Sequence, residues 1–461
     1  MKIKQIMVLV GIFLGLSLSL FSQENNRYES ITSGIALLDQ HNKMVSAHGA
    51  CIVKEGDLYY LFGEFKSDTN NTFVGFSCYS SSDLINWKFE NVVLETQQEG
   101  ILGPNRVGER VKVMKCPSTG EFVMYMHCDG MTYNDPHVGY ATSRTINGKY
   151  TFQGDLLYEG KYLRKWDLGT FQDSDGKGYL LTHEGFIYEL STDYKSAKRL
   201  VVSDLAKGGE SPAMFKSKGH YFWLFSNKTS WERNDNYYLT STSIEGPWIK
   251  KGLFAPKGSL TWNSQCSFVL PIINGNDTLN MYMGDRWSFP KQNSSATYVW
   301  QPIVVKGDEM SLPAFYESWG FDQDNHYFPV DHKLRSIKQG LQLEGAWDIR
   351  DNRFKSNQKG SVITFTFTGE QVSIRGVSND TSGYAQVVLT NGKKQEVYRT
   401  IVDFYCKNEV SELKFLSPVL PPDEYTLSVE VMGEHPAWSD KRKSDYGSTD
   451  DYIIIEDVLC R

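Results

Sequence analysis

Glu55-Gly-Asp-Leu-Tyr-Tyr-Leu-Phe62 sets a glycine turn directly ahead of an aromatic-rich strand, and the arrangement returns four more times along the first two thirds of the chain. The later copies read Thr119-Gly-Glu-Phe-Val-Met-Tyr-Met126, Asp175-Gly-Lys-Gly-Tyr-Leu-Leu181, Lys218-Gly-His-Tyr-Phe-Trp-Leu-Phe225 and Asn274-Gly-Asn-Asp-Thr-Leu-Asn-Met-Tyr-Met283. A glycine turn between apolar strands is a hairpin signal. Most copies are followed by a second strand pair that turns at a polar corner, as in Tyr79-Ser-Ser-Ser-Asp-Leu-Ile-Asn-Trp87 and Ser241-Thr-Ser-Ile-Glu-Gly-Pro-Trp248. Two hairpins make a four-stranded unit, and five units at spacings of several tens of residues predict a five-bladed β-propeller over residues 25–330. A β-sandwich is the competing architecture, but its strands need no recurrent hairpin signature, and no helical periodicity of useful length lies between the repeats.

After Phe328 the repeat stops and a basic connector follows, with His332, Lys333, Arg335 and Lys338. Alternating strands then begin at residues 360–369, with further ones expected at 371–377, 385–390, 425–432 and 452–458. Their spacing predicts a separate β-sandwich over residues 340–461. The chain therefore reads as all-β, with two domains in keeping with its 461 residues. Trp347, Trp438 and Tyr446 are candidate ligand-stacking residues of the second domain.

The composition excludes several classes. Aromatic residues make up 13% and charged residues 22%, too rich in core-forming side chains for a disordered chain. A formal charge of −7 argues against nucleic acid as a partner. The only long apolar run spans residues 6–20, behind Lys2 and Lys4 and ahead of Ser22 and Gln23. It is short for a membrane span and reads as a signal peptide, residues 1–22, so a periplasmic or secreted monomer is expected. Seven cysteines without a C-x-x-C pair show no zinc or redox motif, and stretches such as Gly49-Ala-Cys-Ile-Val53 suggest buried thiols. The turn Asp173-Ser-Asp-Gly176 needs no metal, and neither a metal nor a cofactor is expected.

Chemistry in a propeller comes from groups pointing into its funnel. Glu109, Asp167 and Glu210 stand just ahead of the second, third and fourth hairpins, and Glu64 ends the first hairpin strand. A single acidic residue is most often a solvated charge. Carboxylates at equivalent edges of three successive units are better explained by one shared acidic site, which suits acid-assisted cleavage of a glycosidic bond. His48 reads either as a base or as a hydrogen-bonded structural residue, with the adjoining Gly49 favouring the latter. Tyr133, Trp287 and Trp300 offer rings on which a sugar could stack.

At these residues the chain resembles glycoside hydrolase family 43, most of all its exo-β-1,3-galactanase branch. The resemblance covers residues 45–305 and is carried by Ala47-His-Gly-Ala50, Tyr59-Tyr-Leu-Phe-Gly-Glu64, Glu109-Arg-Val-Lys112, Met126-His127 with Asp129-Gly130, Trp166-Asp-Leu-Gly169 with Asp173-Ser-Asp-Gly176, Glu210-Ser-Pro-Ala213, Ser264-Gln-Cys266, Tyr282-Met-Gly-Asp-Arg-Trp287 and Tyr298-Val-Trp-Gln-Pro302. It implies an inverting hydrolase with Glu210 as general acid and Asp167 as the carboxylate that tunes it. Glu64, Glu109, Tyr133, His48, Asp285, Trp287 and Trp300 then become sugar-binding candidates. Where most of the family carries an Asp-Pro base, this chain has His48-Gly49, and Gln265 matches a glutamine held to position or activate water in an imidic-acid form. The implied substrate is β-1,3-galactan. An α-L-arabinofuranosidase or β-xylosidase, or a non-catalytic glycan-binding propeller, remains open. The C-terminal strands resemble galactose-binding-like accessory domains, through Asp450-Asp-Tyr-Ile-Ile-Ile-Glu-Asp457.

Overall fold

Strand pairing organises the whole chain, and the computed structural model describes residues 27–275, 277–337 and 340–461. The export signal expected at 1–22 lies outside the described residues. Among the described residues the one helical element is a short left-handed turn, Leu260–Asn263; all the others are strands.

Five sheets follow one another, antiparallel except where Leu157–Tyr158 pairs in parallel with Ser196–Val202. Their first strands are His48–Glu55, Arg106–Lys115, Leu168–Gln172, Gly209–Ser217 and Gln265–Asn274. Each glycine-turn hairpin expected from the sequence joins the first two strands of one sheet. The first, second and fourth sheets have four strands, the third gains the short strands Leu157–Tyr158 and Lys161–Tyr162, and the fifth stops at three. The first strands adjoin one another in chain order, and the fifth also adjoins the first.

Apolar layers explain that order. Every sheet is apolar on both faces, so each gap between neighbours is filled. Phe62 and Phe76 meet Met124 and Met126 between the first and second sheets, and Val123 and Tyr125 meet Leu168 and Leu180 between the second and third. Leu181 and Ile187 meet Trp223 and Phe225 in the next gap, then Phe222 and Leu224 meet Val269 and Tyr282. Leu270 and Met281 meet Ile52 and Leu61 in the last. Because both faces are buried, these strands read as continuous apolar runs rather than as alternation.

Beyond residue 337 two further sheets share one core. Phe365, Val387 and Leu427 of one face Ile374, Phe415 and Ile455 of the other. The expected strands are found at Val362–Gly369, Val372–Ser378, Tyr384–Asn391, Asp423–Val431 and Ile453–Cys460, and the sequence reading missed Glu396–Asp403 and Val410–Leu416. All seven cysteines are free thiols and six of them are buried, as expected.

Candidate active site

The site is built at the starts of the first strands, where the ladder is interrupted. In three sheets the register slips immediately after a polar residue: after His48, after Glu109 and after Glu210. The next residue in each case, Gly49, Arg110 or Ser211, takes a positive φ of 62°, 54° or 54°. Bulges of this kind re-aim a side chain and terminate pairing, here at one end of each sheet. The freed amide at each bulge is caught by a carboxylate of a neighbouring sheet. Gly49 N donates to Asp285 Oδ2 (3.1 Å), Arg110 N to Glu64 Oε1 (2.9 Å) and Ser211 N to Asp167 Oδ2 (3.1 Å). Gly49 has no substitute, since a Cβ there would lie 2.3 Å from Glu64 Oε1.

Gln265 opens the first strand of the fifth sheet and joins both halves of the site. Its Oε1 accepts hydrogen bonds from Arg110 (2.6 Å) and from the Trp287 indole N–H (2.8 Å). Its Nε2 donates to Glu210 Oε1 and to Ser226 Oγ, each at 3.1 Å. Arginine and indole are donors only, so the amide cannot be flipped and its oxygen cannot carry a proton in this arrangement. The neighbours thus hold the ordinary amide, not the imidic acid that the resemblance implies. Ahead of Gln265, separated from it by the extended Ser264, four consecutive non-glycine residues, 260–263, are left-handed, with φ between 52° and 57°. Such backbone costs on the order of 1–2 kcal/mol per residue, so the surroundings must enforce it.

Charge is arranged unevenly. Burial first, and the negative charge of Asp167 second, push Glu210 well above the usual carboxylate range, against opposing pulls from Arg110 and Lys228. With Oε1 engaged by Gln265, the other oxygen is left to carry the proton. Glu109 goes the other way: burial opposes its charge, but hydrogen bonding to His127 and the nearby Lys66 hold it well below that range. Its Oε1 accepts from Asn71 (2.6 Å) and from Tyr133 (2.8 Å). Burial also works against a charge on His127, yet bonding to Asp129 and Glu109 pushes it up to about 9. Ligating atoms of Glu109, His127 and Asp167 lie within 4.8 Å of one another. Arg110 ties the cluster together, with Nε 3.3 Å from Asp167 and its guanidinium 5.3 Å from the Trp287 ring centre.

Nine of the ten residues singled out from the sequence meet here, but not all in the expected capacity. Glu210 and Tyr133 are half-buried and line the opening, with Glu109 and Asp167 just below. Glu64, Asp285 and His48 form the floor, each no more than 2% exposed. Their polar groups are bound to protein rather than turned toward a sugar: Glu64 to Arg110 and Lys66, Asp285 to Gly49 and His48. His48 also stacks on Tyr298 at 4.5 Å. Trp300 is a correction. It lies between the fifth and first sheets, edge-on to Trp87, because its place on the third strand of the fifth sheet sets it in an inter-sheet layer. Trp438 likewise is buried, stacked on Tyr446 and edge-on to Trp231.

The sequence alone assigned no site role to Arg110, Lys66, Asn71, His127 or Ser226, although Arg110 and His127 stand in motifs that carry the resemblance. A signal existed for two of them: Arg110 follows Glu109, and His127 is its cross-strand partner. Lys441, from the C-terminal sheets, reaches the Tyr133 carbonyl at 3.4 Å.

The sequence profile described as glycosyl hydrolases family 43 matches residues 44–251. A solved structure from Bifidobacterium bifidum, described as a candidate exo-β-1,3-galactanase, is 35% identical over 61% of this chain and 95% of its own, with a TM-score of 0.58. The chain belongs to glycosyl hydrolase family 43. It is a glycoside hydrolase. The exo-β-1,3-galactanase from Phanerochaete chrysosporium, solved with β-1,3-galactotriose, is 25% identical over 93% of this chain and 99% of its own, with a TM-score of 0.70. An exo-β-1,3-galactanase from Clostridium thermocellum is 27% identical over 72% of this chain and 85% of its own, at a TM-score of 0.60. Among curated proteins none matches this chain at a significant level. Among the described residues no helix is long and apolar enough to cross a membrane.

Proposed function

We propose that this family 43 hydrolase is an exo-acting, inverting β-1,3-galactanase. The single observation that carries the reading is Glu210, half-buried with its pKa pushed well up by burial and by Asp167, one oxygen fixed by Gln265 and the other left to donate. A carboxylic acid kept neutral at working pH is what protonation of a glycosidic oxygen requires. Asp167 keeps the Glu210 proton in place through its charge. Gln265 orients the attacking water, for which one of its four protein partners gives way, since both lone pairs of its oxygen and both N–H groups are otherwise engaged. Glu109, ionised beside Tyr133, holds sugar hydroxyls through charge-assisted bonds. The substrate comes from the relatives named above, whose printed activity is exo-β-1,3-galactanase.

The same reading extends to the architecture and location. The ring of five sheets is a five-bladed propeller over 25–330, the two C-terminal sheets are a β-sandwich over 340–461, and cleavage of residues 1–22 sends a monomer to the periplasm or medium. Support comes from the five inter-sheet layers, the shared C-terminal core and the charge-led apolar run at the N-terminus.

The test is product release by the purified chain from β-1,3-galactan, with arabinan, xylan and aryl glycosides as alternatives. Galactose from galactan alone is expected. Release of arabinose or xylose instead would move the substrate assignment, and no release from any would leave a binding protein. Glu210→Gln should lower turnover of unactivated substrate by at least about a hundredfold to ten-thousandfold while binding survives. Near wild-type turnover would remove Glu210 as the acid.

A further inference from the structure

The strand Asp277–Arg286 and the residue after it send alternate side chains to opposite sides. Asp285 and Trp287 reach the site; Arg286, between them, turns toward the C-terminal sheets. There Arg286 NH1 meets Glu412 Oε2 at 2.9 Å. The same guanidinium reaches back to the left-handed turn, Nε donating to the Asn263 carbonyl (3.1 Å) and NH2 to the Trp262 carbonyl (3.2 Å). A second arginine repeats the plan. Arg233 donates through Nε to Asn263 Oδ1 (2.8 Å), through NH1 to the Trp287 carbonyl (3.0 Å) and through NH2 to the Tyr405 carbonyl (3.4 Å).

Arg286, Arg233, Glu412, Asn263, Trp287 and Tyr405 are each 7% exposed or less, and Trp262 is half-buried. Glu412 is held in turn by Lys414 Nζ at 3.0 Å and by the Ser378 hydroxyl at 3.0 Å. The Tyr405 hydroxyl donates to Glu232, whose other oxygen accepts from Arg233 N at 3.0 Å. Gly34 leaves room for the arrangement, since a Cβ there would stand 2.3 Å from Arg286 NH1. Two planar guanidinium groups therefore bridge the turn that carries Gln265, the residue whose indole binds Gln265, and acceptors that belong to the C-terminal sheets. A flexible point charge could not satisfy these directions at once.

We infer that the C-terminal sheets are a positioning part of the active site: Glu412 through Arg286, and Tyr405 through Arg233, hold the strained 260–263 turn and Trp287 so that Gln265 keeps its orientation toward water. Arg286, Arg233 and Glu412 act through Gln265 and touch no sugar. The inference rests on the reading of Gln265 as the residue that orients water. It also gives the C-terminal region a task independent of any glycan binding.

The experiment compares Glu412→Gln and Arg286→Lys with a control, Arg375→Gln. Arg375 pairs with Glu317 across the same two regions at 2.7 Å without touching the turn. Glu412→Gln should lower kcat on β-1,3-galactan about tenfold to a hundredfold at little-changed KM, the range expected when a catalytic group is misplaced by a fraction of an ångström to an ångström. Arg286→Lys should do the same if Glu412→Gln does not fold, and Arg375→Gln should leave kcat at the wild-type value. In a Gln265→Ala background, Glu412→Gln should have no further effect on kcat, because the effects pass through one residue. An unchanged kcat in Glu412→Gln, or a loss of equal size in the Gln265→Ala background, would overturn the inference. A crystal structure of Glu412→Gln decides it without turnover: a relaxed 260–263 turn with Gln265 displaced from Trp287 supports positioning, and an unmoved turn refutes it. Failure of the wild-type chain to act on galactan would instead count against the proposed substrate.

Discussion

Replacing Asp167 by Asn removes the charge that keeps Glu210 protonated while changing little else in shape. Asp167 Oδ2 accepts the Ser211 amide at 3.1 Å and the Ser211 hydroxyl at 2.9 Å, and an amide oxygen can keep both. What is lost is the negative charge next to Glu210 and 3.3 Å from Arg110 Nε. The two consequences have the same sign. Asp167 raises the Glu210 pKa and Arg110 lowers it, so loss of the first leaves the second unopposed. A single charge at contact range moves a neighbouring carboxyl by about 1–3 pKa units, at about 1.4 kcal/mol per unit. Glu210 must be protonated to work, so activity is lost as pH rises through its pKa. Asp167→Asn should therefore move the alkaline limb of kcat/KM down by at least about one unit, and at a fixed pH above the new limb the rate should fall about tenfold for each unit moved. The assay is the pH profile of galactose release from β-1,3-galactobiose. An aryl galactoside with a good leaving group serves as reference, because it needs little acid assistance and should lose the limb. Thermal melting of the variant guards against a folding defect, since an arginine left buried without its partner is destabilising. An alkaline limb that stays put, or moves up, would refute the electrostatic role of Asp167.

On the proposed single displacement by water, NMR of the first product from a β-1,3-linkage should show the α-anomer, and an initial β-anomer would establish a covalent intermediate. His48→Asn should lower kcat by less than about tenfold, since His48 is fully buried against Tyr298 and bonded to Asp285; a large loss that erased a pH dependence near neutrality would make the histidine the base. Glu412 should make stability acid-sensitive. Burial opposes its charge, but Arg286 and Lys414 outweigh it and lower the pKa from 4.5 to about 2, so about 3 kcal/mol of stability is present above the unfolded pKa and lost as pH falls toward 2. Denaturant melts of Glu412→Gln should be flatter across that window, and an unchanged acid slope would show that the pair contributes nothing.

The five hairpins could be read directly because a glycine turn and its flanking apolar strands lie within about ten residues of chain, and a short loop leaves a strand little choice of partner. Glu109 and Glu210 were found for a related reason: each precedes such a hairpin, so equal sequence positions become equal positions in space. The sequence also marked His48, Asp167 and Gln265 as members of one site. It could not say which would face a sugar. Glu64 and Asp285 looked like ligands and became fasteners for bulge amides, because a bulge strands an N–H that only another sheet can satisfy. Trp300 and Trp287 are both aromatic residues beside polar motifs, and only the sheet each adjoins separates a packed ring from one that binds Gln265. The state of Gln265 was hidden as well, since two donors on its oxygen come from the second and fifth sheets. Hidden too were the links from Arg233 to Tyr405, 172 residues apart, and from Lys441 to Tyr133, 308 residues apart. Local pattern determines which strands form, since turn and apolar periodicity act over a few residues. Closure of the sheets decides which buried charges meet, because at those separations chain connectivity imposes no pairing and only packed geometry brings the groups together.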